Sequence, residues 1–184
     1  DRVVPDDALR PGDRLVVTGT VGDHGLAILA TRNELELFGD LSSDVAPLNG
    51  LIGEALGACG DDIVVMKDPT RGGLASALFE MATKSNVGIV LDEPAVPVAD
   101  QVRAAGELLG IDPLCVANEG KAVIGVRPGA VDALMEALHA HELGRDAAVI
   151  GLCSEERPGS VILDTGFGRR HLAELDGEPM PRIC

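Results

Sequence analysis

Four stretches of this sequence concentrate side chains that bind anions, move protons or attack electrophiles: GTVGDHG at 19–25, KDPTRGG at 67–73, ANEGK at 117–121 and PRIC at 181–184. In the second, an apolar run feeds a turn holding Asp68, Pro69, Thr70 and Arg71, after which Gly72 and Gly73 open a helix. A helix start of that kind presents free N–H groups and a positive dipole end to an anion. The plainer reading is a capped turn in which Asp68 or Thr70 satisfies the helix start and the glycines permit close packing. Neither this stretch nor GTVGDHG has the spacing of a Walker A loop or a dinucleotide fingerprint.

In the first stretch, Asp23 and His24 stand at a strand-to-helix turn, where the imidazole is either a proton donor or an ordinary residue of the first helical turn. Glu119, flanked by Asn118 and Gly120, interrupts two apolar segments. It is a carboxylate facing a cleft or a simple turn residue. The terminal thiol of Cys184 differs, because Pro179 and Pro181 stiffen the tail into an extended form. Such an arm can carry a covalently bound group into another site and withdraw. Its alternatives are an incidental exposed thiol or a metal ligand, and no His or Cys cluster nearby in sequence supports a metal.

The elements that position these groups follow from apolar patterning. Short runs rich in Val, Ile and Leu predict strands at 14–19, 62–66, 87–91, 121–126, 147–152 and 160–164. Helical patterns fall between them at 24–38, 48–58, 73–84, 100–109 and 128–141, with Leu74, Leu78 and Met81 on one face of the third. The alternation predicts an α/β or α+β sandwich, a mixed sheet covered by helices. Residues 1–173 are expected to form one domain and 174–184, ELDGEPMPRIC, a flexible tail.

Composition narrows the functions. The 184 residues carry 30 acidic against 15 basic side chains, a net charge of -15 that repels nucleic acid backbones. With no Trp, no Tyr and three Phe there are few platforms for base stacking. No apolar run approaches the roughly 20 residues that span a bilayer, and the polar start DRVVPDDALRPGD does not read as a signal peptide, so a cytoplasmic protein is expected. Cys59, Cys115 and Cys153 lie far apart in apolar stretches and are expected to be buried free thiols.

TGTVGDHGLAIL, MKDPTRGGLASALFEMA and the terminal PRIC together resemble the HypE family of hydrogenase maturation proteins, over nearly the whole chain. DPTRGGLA alone is shared with the wider PurM superfamily of aminoimidazole ribonucleotide and selenophosphate synthetases, whereas the PRIC ending is particular to HypE. The resemblance implies a PurM C-terminal domain-like fold and an ATP-dependent carbamoyl dehydratase. HypF would load a carbamoyl group onto Cys184, which would be dehydrated to a thiocyanate and passed as cyanide to iron on the HypC–HypD scaffold for [NiFe]-hydrogenase assembly.

By the same resemblance Glu119 accepts or orients the amide protons, and Arg182 anchors the tail or eases thiolate formation. Asp68, Thr70, Arg71, Gly72, Gly73 and Asn118 line the phosphate cleft, with Asp23 and His24 at its edge. ATP and Mg2+ would be held mainly by an N-terminal half that this sequence lacks, with no cofactor or metal expected in this piece alone. Dimerisation in the superfamily runs through that same half, which leaves a monomer open for this piece. Phe79 departs from the pattern, where a polar residue is more usual. Two other functions compete: another synthetase of the superfamily, which needs no terminal thiol, and a docking module that presents the tail without catalysis.

Overall fold

The computed structural model of the protein describes residues 3–32 and 41–172. Among these residues seven strands run as β1 (Arg14–Val17), β2 (Ile63–Lys67), β3 (Gly88–Asp92), β4 (Val123–Val126), β5 (Ala148–Ser154), β6 (Val161–Asp164) and β7 (Arg169–His171). Five α-helices punctuate them among the described residues: α1 (Asp23–Arg32), α2 (Asn49–Cys59), α3 (Gly73–Ser85), α4 (Asp100–Leu109) and α5 (Val131–Ala140).

The strands form one sheet in the order β2-β4-β1-β5-β3-β6-β7. Every neighbouring pair is antiparallel except β3 and β6, which run parallel, so the sheet is mixed, as the sequence predicts.

Interior strand β1 shows why both faces are apolar. Alternate side chains of a strand point to opposite faces. Leu15 and Val17 therefore enter one core with α3, and Val16 enters another with α2 and α5. β4 splits the same way, Val123 to the first core and Ile124 and Val126 to the second. Two covered faces explain why these strands read as continuous Val/Ile/Leu runs rather than as alternating ones. A third, smaller cluster joins Leu26 of α1 to Val102 and Ala105 of α4 and to Val116.

Helix α3 buries the face that its spacing marks: Leu74, Leu78 and Met81 have no exposed surface. Each such side chain contributes roughly 1.5–3 kcal/mol relative to an exposed one. Half-buried Phe79 packs against the same core, which accounts for an apolar residue there. The helix stops at Asn86, which takes a left-handed conformation (φ 53°), with Asn86 N–H donating to Thr83 and Val87 N–H to Ala82. That pair of bonds satisfies carbonyls that the helix end would otherwise leave open.

Two features depart from the sequence reading. β7 is an additional edge strand, and Cys115 is only half-buried, in a single 3-10 turn at Pro113–Cys115. The tail expected at 174–184 lies outside the described residues, as does the part of the first predicted helix beyond 32.

Candidate functional site

β1 runs out at Val17, and the chain must turn before α1. Thr18, fully buried, holds the turn to the third stretch by two bonds: its N–H donates to the Ala122 carbonyl, and the Ala122 N–H donates to its hydroxyl at 2.9 Å. Gly22 follows with φ +87°, a left-handed conformation that glycine adopts without steric cost. Its N–H donates to Asn118 Oδ1 at 2.8 Å. Gly25 N–H donates to the Ala117 carbonyl, so the start of α1 is tied to the ANEGK loop from both sides of His24.

Asn118 is completely buried and acts as a three-way staple. Its side-chain amide donates to the Val116 carbonyl at 3.2 Å and, more weakly, to the Pro69 carbonyl at 3.5 Å, while its backbone N–H donates to Pro69 at 3.0 Å. One side chain therefore joins the GDHG turn, the DPTRGG turn and its own loop. A buried amide with acceptor and donors all engaged is a rigid junction.

The DPTRGG turn differs in detail from a side-chain-capped helix start. Thr70 Oγ1 donates to Asp68 Oδ2 at 2.8 Å, and it is the Thr70 backbone carbonyl that accepts the Gly73 N–H. Gly72 and Gly73 both have positive φ, 69° and 61°. A Cβ on Gly73 would lie 2.4 Å from the Val116 carbonyl oxygen, so the second glycine is required by the close approach of the 114–116 backbone. Arg71 and Asp68 stay exposed on the rim beside Asn118.

Beneath the ANEGK loop lies an ionic cluster that sequence reasoning missed. Lys121 Nζ sits 3.3 Å from Asp44 Oδ2, with both side chains nearly sealed, 12% and 4% exposed. Burial holds the half-buried Asp23 carboxyl above its ordinary value. A hydrogen bond from Thr20 and the Lys121 charge pull it back, and the Asp44 charge pushes it up further. Among the described residues neither Asp23 Oδ2 nor Asp44 Oδ2 has an aligned hydrogen-bond donor.

His24, 8% exposed, shares a 2.7 Å hydrogen bond between Nδ1 and the Ser43 hydroxyl. Lys121 closes a stretch that the sequence already marks. Asp44 and Ser43 lie in an irregular segment with no motif, and no signal in the sequence points to them.

Among the predicted site residues, Asp23, His24, Asn118 and Glu119 are brought together, with the Asp68–Gly73 turn alongside. Glu119 is exposed and its carboxylate faces solvent from the pinned loop. Cys184 and Arg182 lie outside the described residues. Among the described residues no three His, Cys, Asp or Glu side chains converge on a metal-sized site. What the chain offers chemically is an exposed carboxylate on a loop that the buried Asn118 ties to the Asp68–Gly73 turn.

The profile of a family described as AIR synthase related protein, C-terminal domain, matches residues 10–164. The carbamoyl dehydratase HypE of Rhizobium leguminosarum bv. viciae is 47% identical over 179 residues, covering 97% of this chain and 51% of the relative. The chain thus spans about half the length of the curated relatives it matches. A crystal structure of the hydrogenase maturation protein HypE superposes with a TM-score of 0.94 at 40% identity over all of this chain and 59% of that one. HypE structures in complex with HypF (TM-score 0.89, 40% identity, 94% of this chain, 56% of that one) and with ATP (0.91, 39%, 98% and 55%) are nearly as similar in fold. The matched span, the sequence identity and the superposed fold together place this chain in the AIR synthase related protein family, as a C-terminal domain of the kind found in HypE.

Proposed function

We propose that this chain is the tail-carrying half of an ATP-dependent carbamoyl dehydratase that makes the cyanide ligand for [NiFe]-hydrogenase. The observation that carries the proposal is the solvent-facing carboxylate of Glu119 on a loop fixed by the buried Asn118, in a chain similar along 97% of its length to a carbamoyl dehydratase. A relative crystallised with HypF supports HypF as the carbamoyl donor, and a relative crystallised with ATP supports ATP as co-substrate.

The chemistry fits these groups. The Cys184 thiolate accepts a carbamoyl group, giving an S-carboxamide. Its oxygen is a poor leaving group until phosphorylated. The oxygen takes the γ-phosphoryl group of ATP, releasing ADP, while one nitrogen proton passes to Glu119 and from there to solvent; as the C–O bond then breaks, the phosphate leaves with the remaining nitrogen proton and the thiocyanate C≡N forms. Asp68, Thr70, Arg71, Gly72 and Gly73 form the rim that faces the phosphates, with Asp23 and His24 behind them, and Arg182 anchors the tail. Mg2+ would neutralise charge on the phosphates, held by the part of the whole protein that lies outside this chain.

The whole protein is a homodimer of the cytoplasm, and the cyanide passes to iron on HypC–HypD. Among the described residues no helix is long and apolar enough to cross a membrane. Because the chain spans about half of its relatives, by itself it serves as a docking and tail-presenting module.

The test is intact-mass measurement after incubation with HypF, carbamoyl phosphate and ATP, with and without the preceding half. A carbamoyl-sized gain that disappears in Cys184→Ala, followed by loss of water only when the preceding half is present, is the expected result. A gain that persists in Cys184→Ala refutes the carrier role.

A further inference from the structure

We infer that Asp44 is a positioning residue for Glu119, acting through the backbone of the ANEGK loop. This inference rests on the proposed role of Glu119. Asp44 lies 75 residues away in sequence, yet its Oδ1 accepts the Glu119 backbone N–H at 3.0 Å. Its other carboxylate oxygen pairs with Lys121 Nζ at 3.3 Å, two residues further along the same loop. Between them Gly120 presses its α-carbon against the Asp44 main chain, so closely that a Cβ there would stand 1.7 Å from the Asp44 carbonyl oxygen. One residue thus grips Glu119, Gly120 and Lys121 in succession.

The grip is itself braced. Ser43, the preceding residue, bonds His24 Nδ1 at 2.7 Å, which fixes the Asp44 segment to the start of α1. The Asp44 side chain is 4% exposed and the Lys121 side chain 12%, so their attraction is little screened by solvent. The loop is held on its other side by Asn118. Glu119 has a fixed backbone on both sides and an exposed carboxylate. That combination suits a base that must meet an incoming tail, since a small misplacement of a reacting group lowers the rate steeply.

Asp44 touches neither the thiol nor the phosphates in this scheme. It acts on Glu119 alone, and its removal should lower the rate of dehydration without altering carbamoyl loading or the KM for ATP.

The experiment uses the full-length protein, this chain together with its preceding half, loaded with carbamoyl by HypF. Water loss is followed by intact mass well below the melting temperature for wild type, Asp44→Ala, Asp44→Asn and Glu119→Gln. Amide exchange at Glu119 is recorded for each. The expectation is a kcat reduced by roughly tenfold to a hundredfold in Asp44→Ala, with KM and loading unchanged and faster exchange at Glu119. Asp44→Asn keeps an acceptor for the Glu119 N–H and should recover part of the rate, which also separates positioning from a failure to fold. If Glu119→Gln is inactive while Asp44→Ala dehydrates at the wild-type rate, the positioning role is wrong and the role of Glu119 stands. If both dehydrate at the wild-type rate, the role of Glu119 falls, and this inference with it.

Discussion

Replacing Asn118 tests the junction on which the whole site hangs. In Asn118→Ala the buried Gly22 N–H loses its 2.8 Å acceptor and the Val116 carbonyl loses its 3.2 Å donor. A buried donor left unsatisfied costs about 1–3 kcal/mol, and the vacated amide volume adds to it, so a total near 2–4 kcal/mol is expected. For a chain of this length that lowers the melting temperature by roughly 5–15 °C. Asn118→Asp is the sharper variant. It keeps the shape and the acceptor for Gly22, but it places a carboxylate oxygen against two carbonyls at a site with no exposed surface.

That carboxyl would titrate well above its usual value of about 3.9, because only its protonated form can donate to Val116. Its stabilising form is present at acid pH and is lost as pH rises through the raised folded pKa. Urea unfolding at several pH values reads both effects. The alanine variant should unfold at lower urea with an unchanged slope, and the aspartate variant should approach wild type only in acid. An alanine variant within about 0.5 kcal/mol of wild type, the usual range for an inconsequential surface change, would refute the staple.

Two further outcomes follow from burial. Burial pushes the Cys115 thiol up to about 11 and the Cys153 thiol up to about 12, and it raises Cys59 as well. At pH 8 their thiolate fractions are then about one part in a thousand for Cys115 and one in ten thousand for Cys153. Mild alkylation of the native protein should give one adduct, lost in Cys184→Ala, and labelling of Cys153 at the rate of a free thiol would contradict this. Asp23, raised from 3.8 chiefly by burial, contributes stability that is full below 3.8 and lost as pH rises through its folded value. Asp23→Asn should therefore gain on wild type in thermal unfolding between about pH 4 and pH 7, and a difference that stays flat over that range would refute the buried-carboxyl account.

How legible the molecule is in its sequence depends on the range of the contacts. The one-face pattern of Leu74, Leu78 and Met81 locates α3 nearly to the residue, and the Val/Ile/Leu runs locate six strands within a few positions. β7 escapes because Arg169, Arg170 and His171 are all exposed and polar, with no apolar side chain to mark a buried face. Asn118 is visible as part of a polar break, but its function as a junction is not, since its partners Gly22 and Pro69 lie 96 and 49 residues away. Asp44 is the extreme case. Its surroundings carry no motif, and its importance comes wholly from a fold that lays residue 44 against residues 119–121.

The strand order has a consequence for how the chain comes into being. In β2-β4-β1-β5-β3-β6-β7 the single pair adjacent in both sequence and sheet is β6 with β7. β1, an interior strand, has no partner until β4 begins at Val123 and β5 at Ala148. At about 5–20 residues per second on the ribosome, the hundred or so residues that separate β1 from β4 leave that apolar strand unpaired for roughly 5 to 20 seconds. Pairings this remote in sequence also make for slow closure once all strands are available. The interval between the synthesis of β1 and that of β4 is therefore one in which this domain exposes an apolar strand a chaperone could cover, and β5, the strand that bridges β1 to β3, is the one whose arrival ends that exposure.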